Sequence, residues 1–326
     1  MFAPEAEVWY ENADFDLLAK NITVGGFSPL FPDAHCTADG DICQLTTGES
    51  EINAATTIAS LVRSPYFDLT TTYFMVAGIA GVNPEVATTG SVTFARYAVQ
   101  VALQYEFSQF EIPTNYTNGY IPLGSYSADQ YPQSIYGTEV FELNTNLQKM
   151  AATWARKASL NDSEAAMIYR ANYAASEAYT AGASAPSVVE CDVATSDVYY
   201  SGTILSTAFG NYTTLMTNGT GNYCTTAQED NATLEAMLRA AVDKLVDFSR
   251  IIVCRCRFAS AQTDADMCCV GHAHRLRLRS PVAWRGCDHE PVLLPSGWLR
   301  ASDPEHLPCR HRSCPRHPRW VELHVR

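Results

Sequence analysis

The feature that most limits what this chain can fold into is a break in its own patterning near Val253. Upstream, apolar residues recur at helical or strand spacing; downstream, from "CRCRFASAQTDADMCC" onward, such spacing is almost absent. Residues 1–253 hold 28 acidic and 10 basic residues. Residues 254–326 hold 7 acidic and 12 basic residues, all Arg, which completes the net charge of −13. The downstream part also takes seven of the 11 cysteines and seven of the eight histidines, and it has no Lys, Asn, Ile or Tyr. That bias is what GC-rich DNA read out of frame, or through an intron, produces. With many Pro breakers and few aliphatic residues, such a segment cannot offset the entropy of ordering it. The expectation is a body at 1–253 and an aberrant, disordered Arg/Cys/His/Pro-rich tail at 254–326.

A body of roughly 250 residues is long enough for one large domain with a proper core. Its acidity argues against nucleic acid and anionic membranes as partners, because phosphate contacts need a basic footprint. The longest apolar candidate, "FMVAGIAGV", is about half of the roughly 20 residues that span a bilayer. Within the tail, Cys309, His311, Cys314 and His317 do not follow the paired spacing of zinc sites, and no metal or other cofactor is expected.

Sequons at Asn21, Asn115, Asn161, Asn211, Asn218 and Asn231 point to passage through a secretory lumen. No basic segment followed by an apolar run opens the sequence, so the sequons and cysteines carry that expectation. Cys36 and Cys43 flank a short loop, and Cys191 and Cys224 make a second candidate pair; buried free thiols are the alternative for each.

Helices alternate with apolar strands. "EINAATTIASLVRS" puts Ile52, Ala55, Ala59 and Val62 on one helical face, and "LTTTYFMVAGIAG" reads as a buried strand entering a Gly turn. "LQKMAATWARKA" predicts a helix with Leu147, Met150, Ala151 and Trp154 inward. "NATLEAMLRAAVDKLVDF" is the clearest helix, with Leu234, Met237, Leu238, Ala241, Val242, Leu245 and Val246 inward, and it leads to the strand "RIIV". This alternation predicts a three-layer α/β sandwich with a mixed, largely parallel sheet, and ligands then bind beyond the carboxyl ends of the strands.

Taken in order, "MFAPEAEVW", "FSPLFPDAHC", "LTTGESEINAA", "YFMVAGIAGVNP", "CDVATSDVYYSG" and "YCTTAQEDNATLEA" resemble the purine nucleoside permease family of fungi and bacteria across essentially all of residues 1–253. The same blocks are more distantly similar to nucleoside phosphorylases and methylthioadenosine nucleosidases. The resemblance implies a nucleoside phosphorylase-like fold, purine nucleosides as ligands, a homo-oligomer, and a secreted or cell-surface location. It implies either N-glycosidic cleavage, with hydrolysis favoured over phosphorolysis, or non-enzymatic support of nucleoside uptake. It also implies truncation at both ends, with a first strand and a leader upstream of Met1, and therefore an aggregation-prone, catalytically impaired chain.

Residue by residue, the resemblance puts the water-activating carboxylate at Glu7. It makes Gly48 the turn that opens a helix at the ligand; Glu49 and Glu51 beside it repel phosphate, although acids also suit a helix start. Ala77, Gly78, Ala80 and Gly81 end a strand where a ligand approaches backbone. Asp197 and Tyr199 fall where an aromatic packs on base and sugar, and Glu229 and Asn231 where ribose hydroxyls are bound. The family continues "RIIV" into R-T-A-S-D-F-D, whose Asp serves the leaving base. Here "CRCRFAS" follows, and Asp264 or Asp266 would replace that Asp only by coincidence.

Overall fold

The computed structural model describes residues 3–256 of the chain. In chain order it contains α1 (Ala3–Tyr10), β1 (Lys20–Thr23), β2 (Asp33–Cys36), β3 (Cys43–Leu45), α2 (Glu51–Val62), β4 (Phe74–Ile79) and β5 (Gly81–Val82). There follow β6 (Val92–Ala95), β7 (Tyr97–Gln100), β8 (Gln104–Glu106), β9 (Tyr120–Pro122), β10 (Val140–Glu142), α3 (Thr145–Ala155), α4 (Glu164–Arg170) and α5 (Thr180–Ala183). The described part ends with β11 (Val188–Glu190), β12 (Asp192–Thr195), α6 (Thr203–Met216), β13 (Tyr223–Ala227), α7 (Asp230–Val242) and β14 (Ile251–Cys256).

The main strands form two mixed hydrogen-bonded sheets, β11-β6-β14-β4 and β10-β7-β12-β13-β5. They are joined because β4 runs into β5, β6 into β7 and β11 into β12 through a bend of one residue each. The short β5 then returns to pair with β13. Asp192 pins the bend. It is buried, one carboxylate oxygen accepts from the N–H groups of Arg96 (3.1 Å) and Tyr97 (2.8 Å), and the other accepts from Asn222 N–H (2.6 Å). Burial pushes its carboxyl above the usual range while those three donors pull it down.

Helices cover both faces. On one, α2 and α7 pack on Phe74, Val193, Ile251 and Val253. On the other, α3 covers Val92, Phe94, Cys254 and Cys256, while α6 covers Val99 and Ala194. Each fully sealed aliphatic side chain such as Leu234, Ile251 or Val253 contributes about 1.5–3 kcal/mol, so these faces dominate the stability. Helix α1 lies over β4, with Trp9 against Met75 and Ala77. Disulfides join Cys36 to Cys43 across the β2–β3 hairpin and Cys191 to Cys224 across neighbouring strands.

Three sequence readings change. The buried stripe of α2 is Ala54, Thr57, Ile58, Leu61 and Val62, and Ile52 is 78% exposed. Alanine and threonine populate both sides of this helix, so the apolar period alone did not fix its phase. In α3 the buried residues are Leu147, Gln148 and Ala152; Gln148 is held inward by donating to the carbonyl of Phe94 at 2.8 Å. Helix α7 stops at Val242, which is 77% exposed.

The boundary at Val253 also moves. Strand β14 continues through Cys256, in register with Ile79 on one side and Val92 on the other. The remainder of the tail, with Asp264, Asp266, Cys309, His311, Cys314 and His317, lies outside the described residues. Among the described residues no helix is long and apolar enough to cross a membrane.

Candidate functional site

A cleft of about 980 Å3 opens beside the ends of β4, β12 and β13. Its floor is built around Gly78. A side chain there would place a Cβ 2.5 Å from Arg255 Nη1 and 2.8 Å from Glu5 Oε1, so only glycine lets the two converge. Glu5 comes from α1, is buried, lines the cleft and accepts the N–H of Ile79 at 2.5 Å. Arg255 comes from β14 on the same side as Val253. Its Nε donates to Asp230 Oδ2 at 3.1 Å, and its Nη2 donates to the other oxygen of that carboxylate. The same Nη2 lies 3.9 Å from Glu229 Oε2.

Burial works against the charge of Arg255, yet Asp230, Glu229 and Glu5 together hold its pKa above the ordinary value. A bidentate guanidinium–carboxylate pair fixes direction as well as charge, and here it orients a carboxylate cluster from beneath.

The rim is the start of α2. Gly48 and Ser50 both have positive φ, +83° and +78°, which turns the chain so that the first amides of the helix face the cleft side. Such amides attract anions. In this chain two of its own carboxylates take them: Glu229 Oε1 accepts from Ser50 N–H at 3.3 Å, and Asp197 Oδ1 accepts from Glu51 N–H at 3.1 Å. Asp197 Oδ2 also accepts from the Ser50 hydroxyl at 2.8 Å. Glu51 sits within this group and accepts from Gln100. Burial, then Asp197 and Glu229, push its carboxyl above the usual range.

Tyr199 stands at the mouth, 83% exposed, with its hydroxyl donating to Gln228 Oε1 at 3.2 Å. Its phenol is raised by desolvation and by Glu49, Glu229, Asp197 and Glu5, which registers the negative field of the cleft. Tyr200 lies deeper, edge-on to Phe209 at 4.5 Å, and its hydroxyl donates to that of Tyr223 at 3.4 Å. Burial raises the Tyr200 phenol strongly.

The sequence candidates are distributed unevenly over this geometry. Ala80, Gly81, Tyr199 and Glu229 line the cleft, Gly78 lies under its floor, and Asp197 and Gly48 form the adjoining rim. Gly81 faces Thr226, whose Oγ1 would lie 2.2 Å from a Cβ, so close strand pairing already accounts for this glycine. Ala77 is buried against Trp9 and lines a separate apolar pocket of about 70 Å3.

Two candidates lie elsewhere. Glu7 is exposed, because residues two apart on a helix point about 200° apart; it is Glu5 that reaches the cleft. Asn231 is buried between α7, β12 and the segment before β10. Its Oδ1 accepts from Thr195 Oγ1 (2.7 Å), and its Nδ2 donates to the carbonyls of Thr138 (2.8 Å) and Glu139 (3.2 Å). With those bonds made inside the fold, it braces the helix start rather than facing the cleft.

Sequence reasoning missed Glu5, Arg255 and Asp230, and also three tyrosines of the cleft wall, Tyr169, Tyr173 and Tyr179. A sequence signal did exist for the pair: a charged residue in the apolar run "RIIVCRC", and a second acid before the α7 pattern, each improbable in a core without the other.

The family model described as purine nucleoside permease matches residues 1–267. A purine nucleoside permease of Candida albicans is 49% identical over 259 residues, covering 78% of this chain and 62% of the relative. A probable purine nucleoside permease of Schizosaccharomyces pombe is 42% identical over 268 residues, covering 78% and 74%. The chain thus spans under two thirds of the length of the Candida relative. Among solved structures, an S-adenosylhomocysteine nucleosidase of Streptococcus pyogenes is 14% identical, with TM-score 0.45, covering 78% of this chain and 79% of that one. A futalosine hydrolase mutant of Helicobacter pylori is 15% identical, with TM-score 0.42, covering 79% and 86%. On the match over residues 1–267 and the identity to both yeasts' proteins, this chain belongs to the purine nucleoside permease family.

Proposed function

We propose that the cleft binds a purine nucleoside, and that the chemistry it supports is hydrolysis of the N-glycosidic bond rather than phosphorolysis. The observation that carries this reading is the occupied start of α2. The amides that would hold a phosphate already hold Asp197 and Glu229, with Glu49 and Glu51 alongside. An incoming phosphate would have to displace two carboxylates against the field of the others. Water carries no such penalty.

In the hydrolytic step, water adds its hydroxyl to the anomeric carbon, the bond from that carbon to the base breaks, and the proton of the water ends on the departing base. Glu5 is the carboxylate suited to take that proton first, because it is buried at the floor and oriented by the Ile79 amide beside Arg255. Glu229 at the floor edge and Asp197 at the rim offer acceptors to ribose hydroxyls, and Tyr199 offers a flat face to the base. The negative cluster also favours the cationic ribosyl transition state over the neutral ground state.

A second reading, binding without turnover in support of nucleoside uptake, is favoured by one feature. The segment after Arg255 departs from the family pattern that supplies an Asp to the leaving base. Chromatography of inosine or adenosine incubated with the protein, with and without phosphate, separates the readings. Base release without phosphate supports hydrolysis, release only with phosphate overturns it, and tight binding without release supports the accessory role.

A further inference from the structure

Between β7 and β10 the chain leaves the main sheets and forms the β8–β9 hairpin, whose strands pair only with each other. A two-stranded hairpin is marginal by itself and needs a surface to lie on. That surface is α6, where Tyr120 of β9 packs edge-on to Phe209 at 4.8 Å. Beside this contact a groove of about 280 Å3 opens, lined by Asn211, Thr214 and Leu215 of α6 and by Gln104, Thr117 and Asn118 of the hairpin. Asn211 is exposed and opens the sequon Asn-Tyr-Thr, so this sequon stands in the wall of a groove.

The third residue of that sequon is hard to explain by packing. Thr213 is fully buried, and its Oγ1 makes no hydrogen bond among the described residues. Other threonines of the same helix behave differently: Thr214 Oγ1 donates to the Gly210 carbonyl at 3.0 Å, and Thr217 Oγ1, just past the helix end, donates to that of Thr213 at 2.7 Å. A buried hydroxyl without a partner costs stability, and a valine of the same outline would avoid that cost. The fold gains nothing from threonine at this position, whereas an N-glycosylation acceptor requires it.

We propose that Asn211 is N-glycosylated and that the first sugar, an N-acetylhexosamine, occupies the groove and staples the β8–β9 hairpin to α6. The bond forms between Asn211 Nδ2 and the anomeric carbon of the sugar. That carbon leaves the diphosphate of a lipid-linked donor, and the amide gives up one proton. Because folded α6 buries Tyr212 and Thr213, the transfer precedes closure of the helix onto the sheet. The groove suits a neutral sugar. Gln104 spends its Nε2 on the Val101 carbonyl at 2.8 Å and keeps Oε1 as an acceptor. Asn118 spends its Oδ1 on the N–H of Tyr120 at 2.9 Å and keeps Nδ2 as a donor. Asp129 is the one charged lining residue, so an anionic ligand would meet no counter-ion. The volume falls just below the roughly 300–1,000 Å3 of drug-sized ligands, which suits a single ring. A sugar tethered at Asn211 also has a high local concentration, so a shallow groove suffices to hold it.

The test compares the full 326-residue chain with Thr213→Val and with Asn211→Gln, all expressed through a secretory host. Peptide mass spectrometry should find a glycan at Asn211 in the unaltered chain and none there in either variant. Amide hydrogen exchange across residues 104–120 should be about fivefold slower in the unaltered chain, the worth of one net hydrogen bond. That protection should survive an endoglycosidase that trims the glycan to its first sugar. Made without glycans in a bacterial cytosol, the three chains should exchange alike in this segment, which separates the sugar from the substitutions themselves. An unmodified Asn211 in the secreted chain overturns the proposal. A glycan at Asn211 that leaves exchange of the hairpin unchanged overturns the groove as its seat. Neither result bears on the nucleoside reading of the cleft.

Discussion

Arg255 on β14 and Asp230 at the start of α7 form a two-point ion pair with 3% and 0% of their side chains exposed. Removing one partner strands the other in a low-dielectric interior. Arg255→Met also removes a cation from beside Glu229 and Glu5, whereas Asp230→Asn leaves Arg255 facing both. Arg255→Met is therefore expected to cost about 3–5 kcal/mol, or about 10 °C in Tm for a domain of this size, and Asp230→Asn less. Thermal unfolding of the two single variants and of Arg255→Met/Asp230→Leu checks this. A double variant no more stable than Arg255→Met would show that the pair is not the unit of stability.

Gly78→Ala introduces a Cβ that meets Arg255 Nη1 and Glu5 Oε1 at once. Both are side-chain atoms, so the strand survives and the floor spreads. The expected outcome is a loss of nucleoside affinity of tenfold or more with a Tm change of only a few degrees. Calorimetric binding beside a melting curve reads both, and unchanged affinity would remove Gly78 from the floor.

Glu51 supplies a pH signature. Its carboxyl is raised above its ordinary value of 4.5, so the folded state holds the proton more tightly than the unfolded chain. Stability from this group is then greatest in acid and falls as pH rises through the folded pKa. Glu51→Gln keeps an acceptor for Gln100 and removes the charge. The variant should melt about 1–3 °C higher than the unaltered chain at pH 7–8, and the gap should close as the pH falls to 4.5. A gap that widens in acid would reverse the sign.

Five sequon asparagines, Asn21, Asn115, Asn161, Asn211 and Asn218, are exposed, while Asn231 is sealed by three hydrogen bonds. Expression through a secretory host, followed by peptide mass spectrometry with enzymatic deglycosylation, should find glycans among those five and none at Asn231 in folded material. Asn231→Asp should lower Tm by about 5–10 °C, since it replaces two donated bonds by a buried charge facing carbonyls. A glycan at Asn231 in soluble, folded protein would contradict the packing.

The alternation of helices and apolar strands was legible because burial on two faces leaves a periodic trace, as at Leu234 and Met237. The Gly48 turn and the small-residue strand end were legible because backbone conformation restricts residue type there. Three features left no such trace. Ala and Thr on both sides of α2 hid which face was inward. The choice between Glu5 and Glu7 depends on α1 being a helix that lies across β4, a tertiary fact. The partnership of Arg255 with Asp230 spans 25 residues with no fixed spacing, and the three cleft tyrosines sit on short helical turns too brief to leave a period.

The register of β14 on β4, Ile251 opposite Phe74 through Cys256 opposite Ile79, has a consequence for the order in which the molecule is made. During synthesis β4 emerges long before its neighbour exists, and its sheet cannot be completed until the last described strand has left the ribosome. Glu5 is nearly the first residue of the described chain and Arg255 nearly the last. The floor of the cleft is thus a junction between an early and a late segment of the described chain, and the nascent chain must shelter the apolar edge of β4 until that junction can form.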